Sequence, residues 1–357
     1  MKKILKPKPL LIIILLVLIL MVGGFIGTWF YLQSPVDASD NKIIEVEIKS
    51  GTTSTGIGEI LKEKKLIKSV TLFKVYLKIN HVGSLKASTY KFKKSMSLEE
   101  IVEELEVGVI SNDNAVKMTF KDGERITDFA KVISNTIDMD YDSALAVFKD
   151  REYVKTLIPK YWFLTDEILN ENIYYPLEGY LAPETYLFDP DATIYDIIER
   201  LLKQTEKNLE DYQDMIKDNP HYYITMASIA QLEGTNAENR KMIVGVFQNR
   251  LNSGFNLGSD VTTYYALQKS MKEDLTADEI ATVNPYNTRG ANMIGKMPVG
   301  PICNPNPSSI EAAVYPTEND YFFFVADKNG KIYFTKTNAE HNQKVAEIKA
   351  NGDWIFD

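Results

Sequence analysis

The chain has 357 residues, 45% hydrophobic and 25% charged, enough for two or three globular domains with filled cores. Its formal net charge of −9 speaks against a nucleic-acid partner, because gripping a phosphate backbone needs clustered Lys and Arg. A single cysteine, Cys303, excludes an internal disulfide, and His81, His221 and His341 show no metal-ligand spacing, so neither a zinc site nor any cofactor is expected.

Lys2, Lys3, Lys6 and Lys8 precede an uncharged run from Pro9 to Val36 that is most apolar between Leu10 and Leu32. About 20 apolar residues rising ~1.5 Å each cross a bilayer core of roughly 30 Å. A transmembrane helix is therefore expected over residues 10–32, behind a cytoplasmic N-terminus at 1–9. The lysines before the span, with Asp37 and Asp40 after it, put the rest of the chain on the outer face of the cell membrane. The alternative is a cleaved signal peptide. Against it stand a run longer than the roughly 7–15 apolar residues of such peptides and the absence of an A-x-A cleavage site.

Residues 33–42 read as a polar linker, and residues 43–112 as a small module. It has a strand at Ile43–Ile48, helices over 53–67 and 70–79, a strand at Tyr90–Phe92, and a helix over 97–105 opened by a Ser97/Glu100 capping box. The strand–helix–helix–strand order resembles a LysM-like module, a fold many wall proteins use to grip aminosugar polymers.

Residues 113–357 form the expected catalytic domain. A strand at 115–120, a turn at Lys121-Asp122-Gly123 and a helix at 126–133 repeat the strand, glycine turn, helix order of 43–62. The stretch Pro176-Leu177-Glu178-Gly179-Tyr180-Leu181-Ala182-Pro183-Glu184-Thr185-Tyr186-Leu187-Phe188 cannot be one helix. It reads equally as a structured loop at a surface cleft or as a strand and turn packed on the core. A long amphipathic helix is expected over 193–215, an apolar helix over 223–234 and a third over 237–251, with Gly254 able to supply a left-handed cap. From 258 to 305 the chain reads as irregular and rich in Pro, Asn and Gly, the character of functional loops. Strands at 321–326 and 331–335 flank an Asn329-Gly330 turn, and a helix over 337–349 ends the chain. The fold class is α+β, with a helical centre and a C-terminal β-hairpin.

One carboxylate carries the chemical argument. Glu233 shares a helical face with Ala230, Ile229 and Met226. An acid on such a face is paired, sits at the lip of a cleft, or is held protonated by its surroundings; the last is how a glycosidase-type general acid is made. Cleaving a glycosidic bond needs a proton for the leaving oxygen and support for a cation-like transition state. Glu233 is the candidate acid and Asp260 the candidate second carboxylate, while Asn249, Arg250, Thr262 and Tyr265 are candidates to orient a sugar. Spacing alone leaves simpler readings open: Glu233 as a helix-end charge paired with Arg240, Asp260 as a turn residue, His341 as a surface or capping residue. No Gly-x-Ser-x-Gly elbow and no Gly-rich phosphate loop occurs.

Several motifs in fixed order bear on the choice. They are Leu177-Glu178-Gly179-Tyr180-x-x-Pro183-Glu184-Thr185-Tyr186, then Ala227-Ser228-Ile229-x-x-x-Glu233, Arg240, Val246-Phe247-x-Asn249-Arg250-Leu251 and Asp260-x-Thr262-x-x-Tyr265. After them come Asn284-Pro285-Tyr286-Asn287-Thr288, Gly300-Pro301-Ile302-x-Asn304-Pro305 and Glu340-His341-Asn342. This set resembles the MltG/YceG-like family of membrane-anchored endolytic murein transglycosylases. The resemblance implies that Glu233 is the catalytic acid and then base, and that Glu184, Tyr186, Asn287 and Asn304 join Asn249, Arg250, Asp260, Thr262 and Tyr265 in binding substrate. It further implies cleavage between N-acetylmuramic acid and N-acetylglucosamine inside nascent peptidoglycan strands, leaving 1,6-anhydro ends, with peptidoglycan synthases as partners. Gln231, Ala182, Asn239 and Asn306 depart from the family's usual residues. Two rival functions remain: a non-catalytic wall-binding scaffold, and a muramidase-type hydrolase in which Asp260 activates water.

Overall fold

A computed structural model describes residues 27–49, 51–80, 82–83, 85–107 and 115–354. Most of the expected membrane span, residues 10–26, lies outside them, and residues 27–33 are helical. Among the described residues no helix is long and apolar enough to cross a membrane. The chain divides into two compact units, Met1–Ala115 and Val116–Asp357, and its structure is mixed α+β.

In the first unit, β1 (Ile44–Ile48) pairs antiparallel with β2 (Ser88–Phe92), Val46 opposite Tyr90. Alternation along both strands puts Val46, Ile48, Tyr90 and Phe92 on a buried face. Helices α1 (Ser54–Glu63), α2 (Val70–Ile79) and α3 (Leu98–Val107) cover that face with Leu61, Phe73 and Ile101, each fully buried. Thr53 and Ser69 cap α1 and α2 through their hydroxyls. Trp29 and Leu32 pack against the same core, and Lys68 Nζ donates to the Tyr31 carbonyl and the Ser34 hydroxyl, both at 2.8 Å. The helical turns at 27–33 are thus seated on this unit.

The second unit opens with β3 (Val116–Thr119), α4 (Ile126–Ser134), α5 (Tyr141–Lys149) and α6 (Arg151–Leu157). β3 pairs antiparallel with β4 (Thr185–Phe188), Met118 opposite Tyr186. This decides between the two readings of 176–188. Leu177 to Pro183 are buried and the stretch ends in a strand on the core, not in a loop at a cleft. Helix α7 (Ile194–Leu209) carries the Thr193/Asp196 capping box. It stops short of the expected Met215: Glu210–Tyr212 is a 3-10 turn and α8 (Gln213–Ile216) a separate single turn.

At the centre lies α9 (Pro220–Glu233), which packs against α10 (Ala237–Asn252), α11 (Asp260–Ala266) and α13 (Pro307–Val314). Asn219 caps its start and Pro220 occupies a position where a missing N–H is harmless. Every residue from Ile224 to Ala230 is buried, so the helix has no polar face until its end. It stops after Glu233 because Gly234 turns extended, and a Cβ there would lie 2.5 Å from Arg240 Cγ. The stretch expected to be irregular at 260–266 is α11, whose seven mostly polar residues carry no 3–4 apolar repeat to betray it. After the single-turn α12 (Ala277–Ile280) and α13 come the hairpin strands β5 (Phe323–Ala326) and β6 (Ile332–Thr335), then α14 (Asn338–Ala350).

The hairpin is held by α10. Asn249 Nδ2 donates to the Asn319 and Tyr321 carbonyls at 2.9 Å each, and Arg250 Nε to the Phe322 carbonyl at 2.7 Å. Gly245 lets this loop lie directly on the helix: a Cβ would sit 2.2 Å from the Thr317 carbonyl oxygen. Gly245→Ala is expected to cost about 1–3 kcal/mol through overpacking, read as a lower melting temperature; an unchanged one would mean the loop is not seated as described.

Candidate active site

A cleft of about 780 Å³ opens where α9 ends. Glu233, Arg250, Asp260 and Arg289 line it, together with the hairpin residues Phe323 to Ala326 and His341. Phe255 and Ile294 stand half-exposed at its rim. Among the described residues, Glu233 and Asp260 are the only acids in this lining, and their surroundings differ sharply.

The Glu233 side chain is half-buried, and Ser259 Oγ donates to its Oε1 at 2.5 Å. Burial pushes this carboxyl above the ordinary carboxylate range. The Ser259 hydroxyl works against the rise, the Asp260 charge adds to it, and Arg289 and Arg250 oppose it. Ser259 is itself pinned. Its N–H donates to Thr288 Oγ1 at 3.0 Å and its carbonyl accepts from Thr262 Oγ1 at 2.7 Å, while the two threonine hydroxyls lie 2.8 Å apart. Asp260 is exposed and ion-paired with Arg289. Arg250 is half-buried, its guanidinium bridging the Phe322 and Leu257 carbonyls; burial lowers its pKa to about 10, with Glu233 opposing, so it stays cationic at neutral pH. The supposed Glu233–Arg240 pair is not formed: Arg240 donates to the Gly234 carbonyl and the Ser308 hydroxyl instead.

Of the residues expected at the site, Glu233, Arg250 and Asp260 line the cleft and the others do not. Asn249 ties down the loop before the hairpin. Thr262 is fully buried behind Ser259. Tyr265 is fully buried, its hydroxyl donating to Glu178 Oε2 at 3.0 Å. Asn287 is fully buried, accepting from Thr263 Oγ1 and the Arg289 N–H and donating to the Ile280 and Thr282 carbonyls. Asn304 accepts from the Gly179 and Leu181 amides and donates to the Glu124 carbonyl and Glu178 Oε1. Tyr186 packs in the β3–β4 core and bonds the Ala182 carbonyl; Glu184 is exposed beside it. The physical reason is common to them: buried Asn, Thr and Tyr must be hydrogen-bonded, and these satisfy one another across loops far apart in sequence. Two of the unusual residues also meet, Gln231 Oε1 accepting from the Asn306 N–H and, through Ser309 Oγ, the start of α13.

Sequence reasoning missed Ser259, Arg289 and His341. Ser259 precedes a residue that was singled out, which was the available signal. His341 is neither surface nor cap: it lines the cleft with its ring 5.6 Å from that of Phe323. Among the described residues no cluster of three or more His, Cys, Asp or Glu side chains is placed to hold a metal.

The chain matches the profile of the YceG-like family over residues 46–347. It belongs to that family. A Bacillus subtilis protein named endolytic murein transglycosylase is 34% identical over 329 residues, covering 91% of this chain and 90% of its own length. A Streptococcus pneumoniae protein of the same name is 32% identical over 92% of this chain, which spans only 63% of that longer relative. The crystal structure of a YceG-like protein from Listeria monocytogenes shares 35% identity and superposes with a TM-score of 0.60, covering 85% of this chain and 99% of the other.

A second buried carboxyl, Glu178, lies outside the cleft lining. Burial raises it to about 8 against the opposing effect of donors from Tyr265 and the Ile126 N–H. Because the folded pKa is raised, its contribution to stability is fully present below the unfolded value near 4.5 and is lost as pH rises through about 8. Wild type should therefore lose stability relative to Glu178→Gln between about pH 5 and pH 8, measured by urea unfolding across that range; parallel pH profiles would contradict the burial assignment.

Proposed function

We propose that this protein is a membrane-anchored murein lytic transglycosylase that cuts within nascent glycan strands, with Glu233 as its single acid and base. One observation carries the reading: of the two cleft acids, Glu233 is half-dry with a raised pKa, whereas Asp260 is exposed and neutralised by Arg289. The relatives' shared name supports the substrate, peptidoglycan, and the reaction class.

Glu233, protonated, gives its proton to the glycosidic oxygen between N-acetylmuramic acid and N-acetylglucosamine. The C1–O bond breaks and positive charge develops at the muramic C1. The resulting carboxylate then takes the proton of the muramic 6-hydroxyl as O6 bonds to C1. A 1,6-anhydro end forms, Glu233 is protonated again, and no water is consumed. Because the nucleophile belongs to the substrate, a second free carboxylate is not required. Ser259 keeps the carboxyl in one orientation through both proton transfers and moderates its basicity.

Anchoring is supported by the apolar run ahead of residue 33 and by the packing of Trp29 and Leu32 onto the first unit. The βααβ order of that unit supports a LysM-like glycan-gripping role, and the synthases that extrude strands are the partners this reading implies.

Full-length protein incubated with uncrosslinked glycan strands should yield anhydro-ended products by mass spectrometry, and Glu233→Gln should lower cleavage by at least about 10²-fold with its melting temperature kept. Reducing ends one water heavier would instead make it a hydrolase, and intact strands a scaffold. Asp260→Asn should remain active. Removing that negative charge lowers the Glu233 pKa, so the alkaline loss of activity should shift to lower pH; abolished cleavage would give Asp260 a direct role.

A further inference from the structure

His341 contains a polar atom that the fold leaves unused. Its Nδ1 is buried with no hydrogen-bond partner among the described residues, while the residue lines the glycan cleft. Burial, and then the Arg250 charge, hold the ring below the ordinary histidine range, so it is neutral near pH 7. A neutral imidazole has one N–H and one bare nitrogen. An orphaned buried N–H is the rarer and costlier of the two, so the proton belongs on Nε2. Nε2 is not the buried nitrogen, and it is the one left for a ligand. The ring is held by contact with Phe323, 5.6 Å between centroids at 33°, on the hairpin that Asn249 and Arg250 anchor to α10. A neutral donor thus stands in the same cleft lining as Glu233.

We infer that His341 binds substrate directly, its Nε2–H donating to an uncharged oxygen of the sugar held over Glu233. This deepens the transglycosylase reading and rests on it for the identity of the ligand. A buried orphan nitrogen lowers stability, and an apolar ring of similar shape would remove that penalty. The fold would be no worse with phenylalanine; only ligand binding would be.

The test uses full-length protein and uncrosslinked glycan strands. His341→Phe should keep or raise the melting temperature while raising KM about three- to tenfold, the worth of one neutral hydrogen bond, with kcat nearly retained. His341→Gln, which keeps an amide donor, should recover most of the KM. Binding is also read without chemistry, by comparing strand affinity of Glu233→Gln with that of Glu233→Gln/His341→Phe; the same three- to tenfold loss is expected. An unchanged KM and affinity in the phenylalanine variants would overturn the inference, as would joint loss of stability and activity, or failure of glutamine to restore binding. If Glu233→Gln cleaves like the parent, the catalytic reading alone fails, and the KM comparison of the parent with His341→Phe and His341→Gln still tests the inference.

Discussion

The hydrogen bond from Ser259 to Glu233 joins the last residue of a buried helix to a loop fastened by two threonines. Without it the carboxyl would end α9 with free rotation and a poorly defined environment. Helix α9 can be apolar all round because α10, α11 and α13 cover it, and Gly234 stops it where the cleft begins. The cost of desolvating an acid there is held mainly by the packing of the whole unit; Arg289 and Arg250 offset part of it without a direct ion pair. That separates this site from an ordinary buried ion pair, in which a cation would keep the acid ionised.

Two carboxyls of the unit, Glu178 and Glu233, have raised pKa, and comparing them shows what distinguishes an active group from a structural one. Glu178 is 1% exposed and meets donors from Ile126, Tyr265 and Asn304. All are groups of the fold, and the acid ties together the start of α4, helix α11 and the Asn304 loop. Glu233 has one donor from the fold, Ser259, and otherwise faces a cleft large enough for sugar rings. A raised pKa alone would pick out either residue; access and unspent hydrogen-bonding capacity pick out only one.

Local periodicity made most of the architecture legible. Alternation at 44–48, the capping box at 97, and 3–4 spacing along α7 and α10 each point to one element. Glu233 was legible for the same reason, since a charge interrupting an apolar helical face needs explaining. The losses have a common cause in long-range pairing. Asn304 meets Glu178 126 residues away and Thr262 meets Thr288 26 residues away, and nothing local tells a buried polar residue that satisfies a neighbour from one that awaits a ligand. Polar motif residues therefore look like a binding surface when most are the internal bonding of the loops. His341 was hidden in the reverse sense, because a histidine early in a helix looks exposed until the hairpin packs against it.

The charge balance around Glu233 follows from the double duty proposed for it. A group that must first give a proton and later accept one works best when neither form is strongly favoured. Burial and Asp260 raise its pKa; Ser259, Arg289 and Arg250 lower it. These influences come from different elements, Arg250 from α10, Ser259 and Asp260 from the start of α11, and Arg289 from the loop behind it. Asp260 and Arg289 pair with each other at the exposed rim, so their opposing effects largely cancel, and solvent screens what is left. The dominant contest is between burial and the Ser259 hydroxyl. A sugar closing the cleft would strengthen burial by excluding water, favouring the protonated acid when substrate arrives, and the positive charge then developing at C1 would favour the carboxylate that the second step needs.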